Sequence, residues 1–385
     1  MTHRYQELDS LRGLAAITVL VGHYLNPFLV QSGPYVRVGR IIQLAGRTPL
    51  FALFAGHEAV MLFFVLSGFV LSLNFLKGAS VRYGAFALKR VCRLYVPYLG
   101  ALVLAVLCCR FAYAGRITEL SDWFNTPWSG GVTSASLVEH VVFLGSFKSD
   151  RFDPVLWSLV HELRISFLLP FLVAFLMKRA WRTNLTLALG LSVFGMTARL
   201  AMLKLGIPGD YCLTIHYVAM FVMGFMLAQN VTAIHDWYRR LGPTTRAAIG
   251  LGGLVLYTFS HLLPGPLRYY QDLPIAIGAS LIVVTGLSSA RTSAFLKRPS
   301  VKFFGDISYS LYLYHAIVLL AFTHVLYGAV PMAAILPMAC ATSVLLAWVS
   351  YVFVERPAIK MGRTLSARWA EAGRAIGANQ LVLER

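Results

Sequence analysis

Three residue types at particular spacings carry the chemistry legible in this chain. Arg12 and His23 stand eleven residues apart. At 100° per residue that interval falls within about 20° of three full turns, so on a helix both project from one face, roughly 16 Å apart along the axis. The stretch Leu156-Trp157-Ser158-Leu159-Val160-His161-Glu162 sets Glu162 about two turns, on the order of 10 Å, into another helix, with Ser158 four residues before it on the same face. A His–Glu pair shielded from water makes a general base with its orienting partner. The same residues also suit plainer roles: Arg12 as a surface anchor, His23 as a hydrogen-bonded core residue, Glu162 as a polar clamp between helices. Lys89-Arg90-Val91-Cys92-Arg93 offers guanidiniums at i and i+3. Such a pair fits phosphate groups and equally well serves as charge flanking a membrane. Ser308, Tyr312 and His315 recur at i, i+4 and i+7, a polar stripe that lines a cavity or stitches helices together. His57 and Glu58 form a further candidate pair, and Ser67-Gly68 lets another backbone approach closely.

The elements that position these groups follow from composition. Of 385 residues 58% are hydrophobic and 13% are charged, and the formal net charge is +18. Disorder is excluded by the apolar and aromatic content. Five scattered Cys exclude a disulfide scaffold. A basic nucleic-acid groove needs a soluble fold around it, and this chain has too little polar surface to coat one. An all-α membrane protein remains: a polytopic bundle of about ten transmembrane helices, each needing about 20 apolar residues. The spans are expected near 13–30, 50–76, 94–113, 154–177, 184–204, 213–229, 247–264, 272–289, 307–328 and 332–354. No cleavage site follows the first apolar run, so it is expected to stay as a helix.

Orientation comes from the positive-inside rule. With the N-terminus in the cytoplasm, the inner segments hold 23 of the 34 Lys and Arg and the outer segments nine, Arg164 and Arg199 lying within spans. Both termini are therefore expected in the cytoplasm. The longest outer segment, about 114–153, is expected to cap the bundle or dip into the membrane, with an apolar patch at Val138–Leu144. Residues 1–363 read as one transmembrane domain, and 364–385 as a short basic cytoplasmic tail, amphipathic or loosely ordered. No repeat appears. Ionisable residues inside spans are costly and mark functional sites; a transporter or flippase for a lipid-linked sugar uses them as readily as an enzyme does. A Gly-x-Ser-x-Gly elbow, a P-loop and zinc-type Cys/His spacing are all missing, so no metal is expected, and an acyl group would have to come from an activated donor.

Taken in order, these segments resemble the acyltransferase-3 family of integral membrane acyltransferases, in its stand-alone type. The resemblance rests on Leu8-Asp9-Ser10-Leu11-Arg12-Gly13-Leu14-Ala15-Ala16 running to Gly22-His23, Phe63-Phe64-Val65-Leu66-Ser67-Gly68-Phe69, Arg90-x-x-Arg93 followed by Pro97, and Trp157-Ser158-Leu159-x-x-Glu162. It continues through Phe221-x-x-Gly224-x-x-x-Ala228, Ile307-Ser308-Tyr309-Ser310-Leu311-Tyr312-Leu313-Tyr314-His315 and Glu355-Arg356-Pro357, and so spans residues 5 to 363. One departure stands out: the family continues Glu162 with a polar residue and then Phe-Tyr, where this chain has Leu163-Arg164-Ile165-Ser166-Phe167. Arg164 is therefore expected to reshape acceptor binding.

The resemblance implies transfer of an acyl group, most commonly acetyl, from cytoplasmic acyl-CoA to a hydroxyl of a carbohydrate such as an O-antigen, lipopolysaccharide or exopolysaccharide. The setting it implies is a bacterial inner membrane. The expected partners are acyl-CoA, a glycan acceptor and the bilayer, with no nucleic acid; oligomeric state is not legible. In this reading Arg90 and Arg93, helped by Lys89 and Arg12, hold the CoA phosphates, and His23 oriented by Glu162 is the base, acting directly or through an acyl-histidine. Ser158, Trp157, Tyr312 and His315 then stabilise the oxyanion or position the acceptor.

Overall fold

The structure, a computed structural model, describes residues 5–76, 82–143 and 145–383, with side chains as far as Trp369. Arg4, Lys77, Leu144 and Arg385, which enter the expectations above, lie outside them. Long helices stand at each of the ten expected places: α1 (Gln6–Leu25), α2 (Gly56–Leu76), α3 (Tyr83–Phe111), α4 (Leu156–Leu176), α5 (Trp181–Lys204), α6 (Asp210–Gln229), α7 (Pro243–Phe259), α8 (Asp272–Ser288), α9 (Pro299–Leu326) and α10 (Met332–Ser350). A π-helical turn, Tyr351–Glu355, joins α10 to a last helix, α11 (Arg356–Leu383). Among the described residues the only β pairing is an isolated bridge between Tyr327 and Val330.

Seven of these helices are long and apolar enough to cross a bilayer, and an eighth is if α8 and the short helix Ala290–Leu296, bent by 91°, form one span. α1 falls outside that set because Glu7, Asp9 and Arg12 interrupt its apolar run, and α7 because it has only 17 residues. Several helices start earlier than hydropathy suggests; α3 and α9 begin eleven and eight residues before the expected spans. Hydropathy marks only the part of a helix in contact with hydrocarbon, whereas backbone hydrogen bonding carries the helix on into the polar zone. The last residues, expected to be amphipathic or loosely ordered, continue α11 as helix to Leu383.

The apolar stretches of α6 and α9 are 72% buried and that of α2 is 67%, against 22% for α5. α2, α6 and α9 therefore form the centre of the bundle, and α5 faces lipid with exposed Val193, Phe194 and Leu203. Lipid tails give helices no hydrophobic reason to associate, so close backbone packing at small residues must do it. Two glycine pairs supply that packing. A Cβ on Gly13 of α1 would stand 2.4 Å from the backbone N of Gly305 on α9, and one on Gly224 of α6 would stand 2.0 Å from the Val65 carbonyl on α2. α1 and α9 run side by side in the same direction, with Ser10 bonded to the Leu296 carbonyl at one end and Tyr24 to Ser343 on α10 at the other.

The segment between α3 and α4 folds over the end of α1, in keeping with its expected capping role. The Ser121 hydroxyl and N–H donate to the carbonyls of Asn26 and Pro27. Trp123 lies against His23, ring centroids 4.9 Å apart. Trp128 is fully buried at φ 67°, held by its indole N–H to the Phe152 carbonyl at 2.8 Å.

Candidate active site

A cavity of about 970 Å³ opens at the end of the bundle that bears the N-terminus. Its mouth gathers cations from three helices: Arg12 on α1, Arg90 and Arg93 on α3, and Arg356, Lys360 and Arg363 on α11. Asp9, Glu162, Asp306 and Glu355 face them, which leaves a positive excess. The arrangement has local causes. Pro97 cannot donate to the Arg93 carbonyl, which eases the turn after the arginine pair. The π turn at Tyr351–Glu355, a feature frequent at functional sites, swings Glu355 into the cavity, where it accepts from Ser310 at 2.8 Å. Arg90 is buried, and the Nε atoms of Arg90 and Arg12 have no hydrogen-bond partner. Buried guanidinium donors without acceptors are costly, so this mouth is built for an anion.

Inside the mouth, a guanidinium N–H of Arg12 donates to Ser67 Oγ at 2.8 Å, and Ser67 donates to Glu162 Oε1 at 3.0 Å. Glu162 is thus tied to Arg12 through the Ser67-Gly68 turn of α2. The expectation that it orients His23 is corrected: the two were placed at one depth by counting turns, but the carboxylate is engaged by Ser67, which Arg12 in turn holds. Ser158 does not bond Glu162 either. Its hydroxyl meets Tyr312 Oη at 2.6 Å, and both lie within reach of the Val155 carbonyl. The Ser158–Tyr312 pair closes the far end of the cavity. Nearby Asp153, outside the spans, is buried with one unpartnered carboxylate oxygen, and burial pushes its carboxyl well above the usual carboxylate range.

His23 does not line this cavity. It lies one layer beyond, behind Phe63 and Tyr312, whose rings are 5.6 Å apart. Its partner is His315: His23 Nδ1 and His315 Nε2 are 2.8 Å apart, and the rings are stacked. Network logic assigns the tautomers. His315 Nδ1 faces the Leu311 carbonyl at 2.9 Å, and a carbonyl only accepts, so that nitrogen carries the proton. In neutral His315, Nε2 is then an acceptor, and His23 must donate from Nδ1. His23 Nε2 is left as a free lone pair, the form a general base requires.

Two further expected residues fall elsewhere. Lys89 is exposed and does not line the cavity, because at 100° per residue it turns away from the face shared by Arg90 and Arg93. Trp157 faces a second cavity rather than the oxyanion position, its neighbour Ser158 taking the inward face of α4. His57 bonds Asp272 at 2.6 Å, not its sequence neighbour Glu58. Asp272 also meets His216 at 3.1 Å, and His216 in turn meets Ser192.

Sequence reasoning missed Arg356, Lys360 and Arg363. Their i, i+4, i+7 spacing on one helix face was the available signal. Among the described residues no three His, Cys, Asp or Glu side chains gather as for a metal ion.

No curated protein and no solved structure matches the chain. A family model described as an acyltransferase domain, that of acyltransferase-3, matches residues 5–352. With nearly the whole chain matched, and with a membrane bundle holding a cationic cavity and a hydrogen-bonded histidine pair, the protein belongs to the acyltransferase-3 family of membrane acyltransferases.

Proposed function

We propose that the protein transfers an acyl group, acetyl in the commonest case, from acyl-CoA bound at the cytoplasmic face to a hydroxyl of a cell-surface carbohydrate at the other face of a bacterial inner membrane. The observation that carries this reading is the single cavity that joins a cationic mouth to a hydroxyl pair beside the histidines. CoA carries phosphates at one end and its thioester at the end of a long, thin arm, which matches that polarity. Family membership gives no support to a sugar-flipping role.

Arg90, Arg93 and Arg12 hold the phosphates, with Lys360 and Arg363 from α11 completing the clamp; charge-assisted bonds of this kind are the strong ones. Glu162 keeps Arg12 aimed through Ser67. The arm extends toward Ser158 and Tyr312, and either hydroxyl donates to the oxyanion of the thioester carbonyl, a contribution of roughly 3 kcal/mol for one good donor. His23 Nε2 takes the proton of the acceptor hydroxyl as its oxygen bonds the carbonyl carbon. The C–S bond then breaks, and the departing CoA thiolate recovers that proton. His315 fixes the tautomer throughout.

The test uses purified protein, labelled acetyl-CoA and a glycan acceptor. The parent should release free CoA and label the acceptor. His23→Ala should do neither while keeping its helical content and its binding of acetyl-CoA. Full activity in His23→Ala would sink the assignment.

A further inference from the structure

A second cavity, about 320 Å³, lies between α2, α4, α5 and α6. Its composition is unusual for a membrane bundle. Arg164 of α4 and Arg199 of α5 both line it, with His57 and His161, while Asp210 is the only carboxylate on its wall among the described residues. Asp210 already accepts from Ser146, and Asp272 behind the wall is engaged by His57 and His216. Arg164 is fixed: it donates to Thr214 at 3.1 Å and to the Gly145 carbonyl at 2.7 Å, and lies over the Tyr211 ring. Arg199 is different. It is half-buried, and among the described residues no acceptor is bonded to its guanidinium. Ionisable residues on membrane helices that face a cavity mark substrate or ion sites, and Arg199 faces this one.

The rest of the wall is aromatic. The rings of Trp157 and Tyr217 are 6.0 Å apart, and Phe147 adds a third face. Pockets with apolar aromatic walls and few convergent charges bind polar organic ligands in one orientation, and guanidiniums select planar carboxylates or phosphates. Its relation to the first cavity is close. Trp157 lines one and Ser158 the other, Val160 lines one and Val60 the other, and Phe64 of the first packs on Tyr217 of the second at 4.9 Å. One layer of side chains separates them.

We propose that this outer cavity binds the anionic group, carboxylate or phosphate, of an acidic carbohydrate acceptor, with Arg199 as the charge that receives it and Arg164 as its fixed companion. The inference rests on the acyl-transfer reading for the word acceptor, but anion binding at Arg199 stands without it. The acidic end seats against the arginines, and a hydroxyl of the same sugar is presented toward the partition at Ser158.

The experiment is thermal unfolding of the purified full chain in detergent and phosphate-free buffer, titrated with glucuronate, inorganic phosphate and glucose. Binding of acetyl-CoA is measured in parallel. Glucuronate or phosphate should raise the melting temperature by several degrees, whichever acts naming the group, and glucose should not. Arg199→Gln should abolish the rise and leave acetyl-CoA binding unchanged. Arg199→Lys, which keeps the charge, should retain part of it and serves if the first variant folds poorly. An equal rise in Arg199→Gln, an equal rise with glucose, no rise with either anion, or loss of acetyl-CoA binding in Arg199→Gln would each overturn the proposal. Absence of acetyl-CoA binding in the parent would instead defeat the acyl-transfer reading and leave the anion site intact.

Discussion

A histidine pair works as a base only while one ring is told which nitrogen to protonate. In this protein the instruction comes from a backbone carbonyl, that of Leu311, through His315 to His23. His315→Ala removes the relay and frees His23 to turn or to adopt the other tautomer. We expect turnover to fall by roughly 10²-fold, the lower end of what general base catalysis contributes, with the KM for acyl-CoA little changed. Steady-state kinetics separates the two parameters, and unaltered turnover would show that the pairing is structural. The sequence placed His315 on a polar stripe with Ser308 and Tyr312, and that much was legible from spacing. Its bond to His23, 292 residues away, was not, because periodicity reports the face of a helix and not the neighbour it meets. Glu162 shows the same limit: depth counted in turns ignores the reach of an Arg12 side chain.

At the scale of elements, the cationic mouth is the work of α11 as much as of α3. Lys360→Ala combined with Arg363→Ala should raise the KM for acyl-CoA about tenfold or more, since hydrogen bonds to charged groups contribute about 1.5–3 kcal/mol each. Turnover at saturation should be retained; unchanged KM would remove α11 from the clamp. The segment ahead of α4 carries a prediction of its own. Burial holds the Asp153 carboxyl neutral well above the usual carboxylate range, whereas in the unfolded chain it ionises near pH 4. A folded pKa raised in this way favours the fold below that value and costs stability as pH rises past it. Asp153→Asn, which imitates the neutral acid, should therefore gain in melting temperature over the parent on going from about pH 4 to pH 7. A constant difference between the two across that range would contradict it. Hydropathy located the helices themselves. It set the first turns of α3 and α9 too late, where polar residues extend the helix and the lipid no longer writes the pattern.

For the molecule as a whole, charge asymmetry and apolar content announced a membrane bundle, and the family match agrees. The arrangement of helices around two cavities belongs to tertiary packing, which small residues decide. Gly13 and Gly305 touch in the first third or so of α1 and α9, and His23 and His315 meet further along both helices. Each histidine lies ten residues beyond its glycine, about 15 Å at a helical rise of 1.5 Å per residue. Two parallel rods pinned at one point therefore stay in step along their length. Gly305 also forms part of the wall of the first cavity, so the pin sits where the cofactor would arrive. A methyl group there would wedge the rods apart, and Gly13→Ala should lower turnover although it touches no reacting atom; normal turnover with normal folding would show the helices to be pinned elsewhere. The His23–His315 contact then behaves as a gauge on a lever, reading out how closely two helices are seated about 15 Å away.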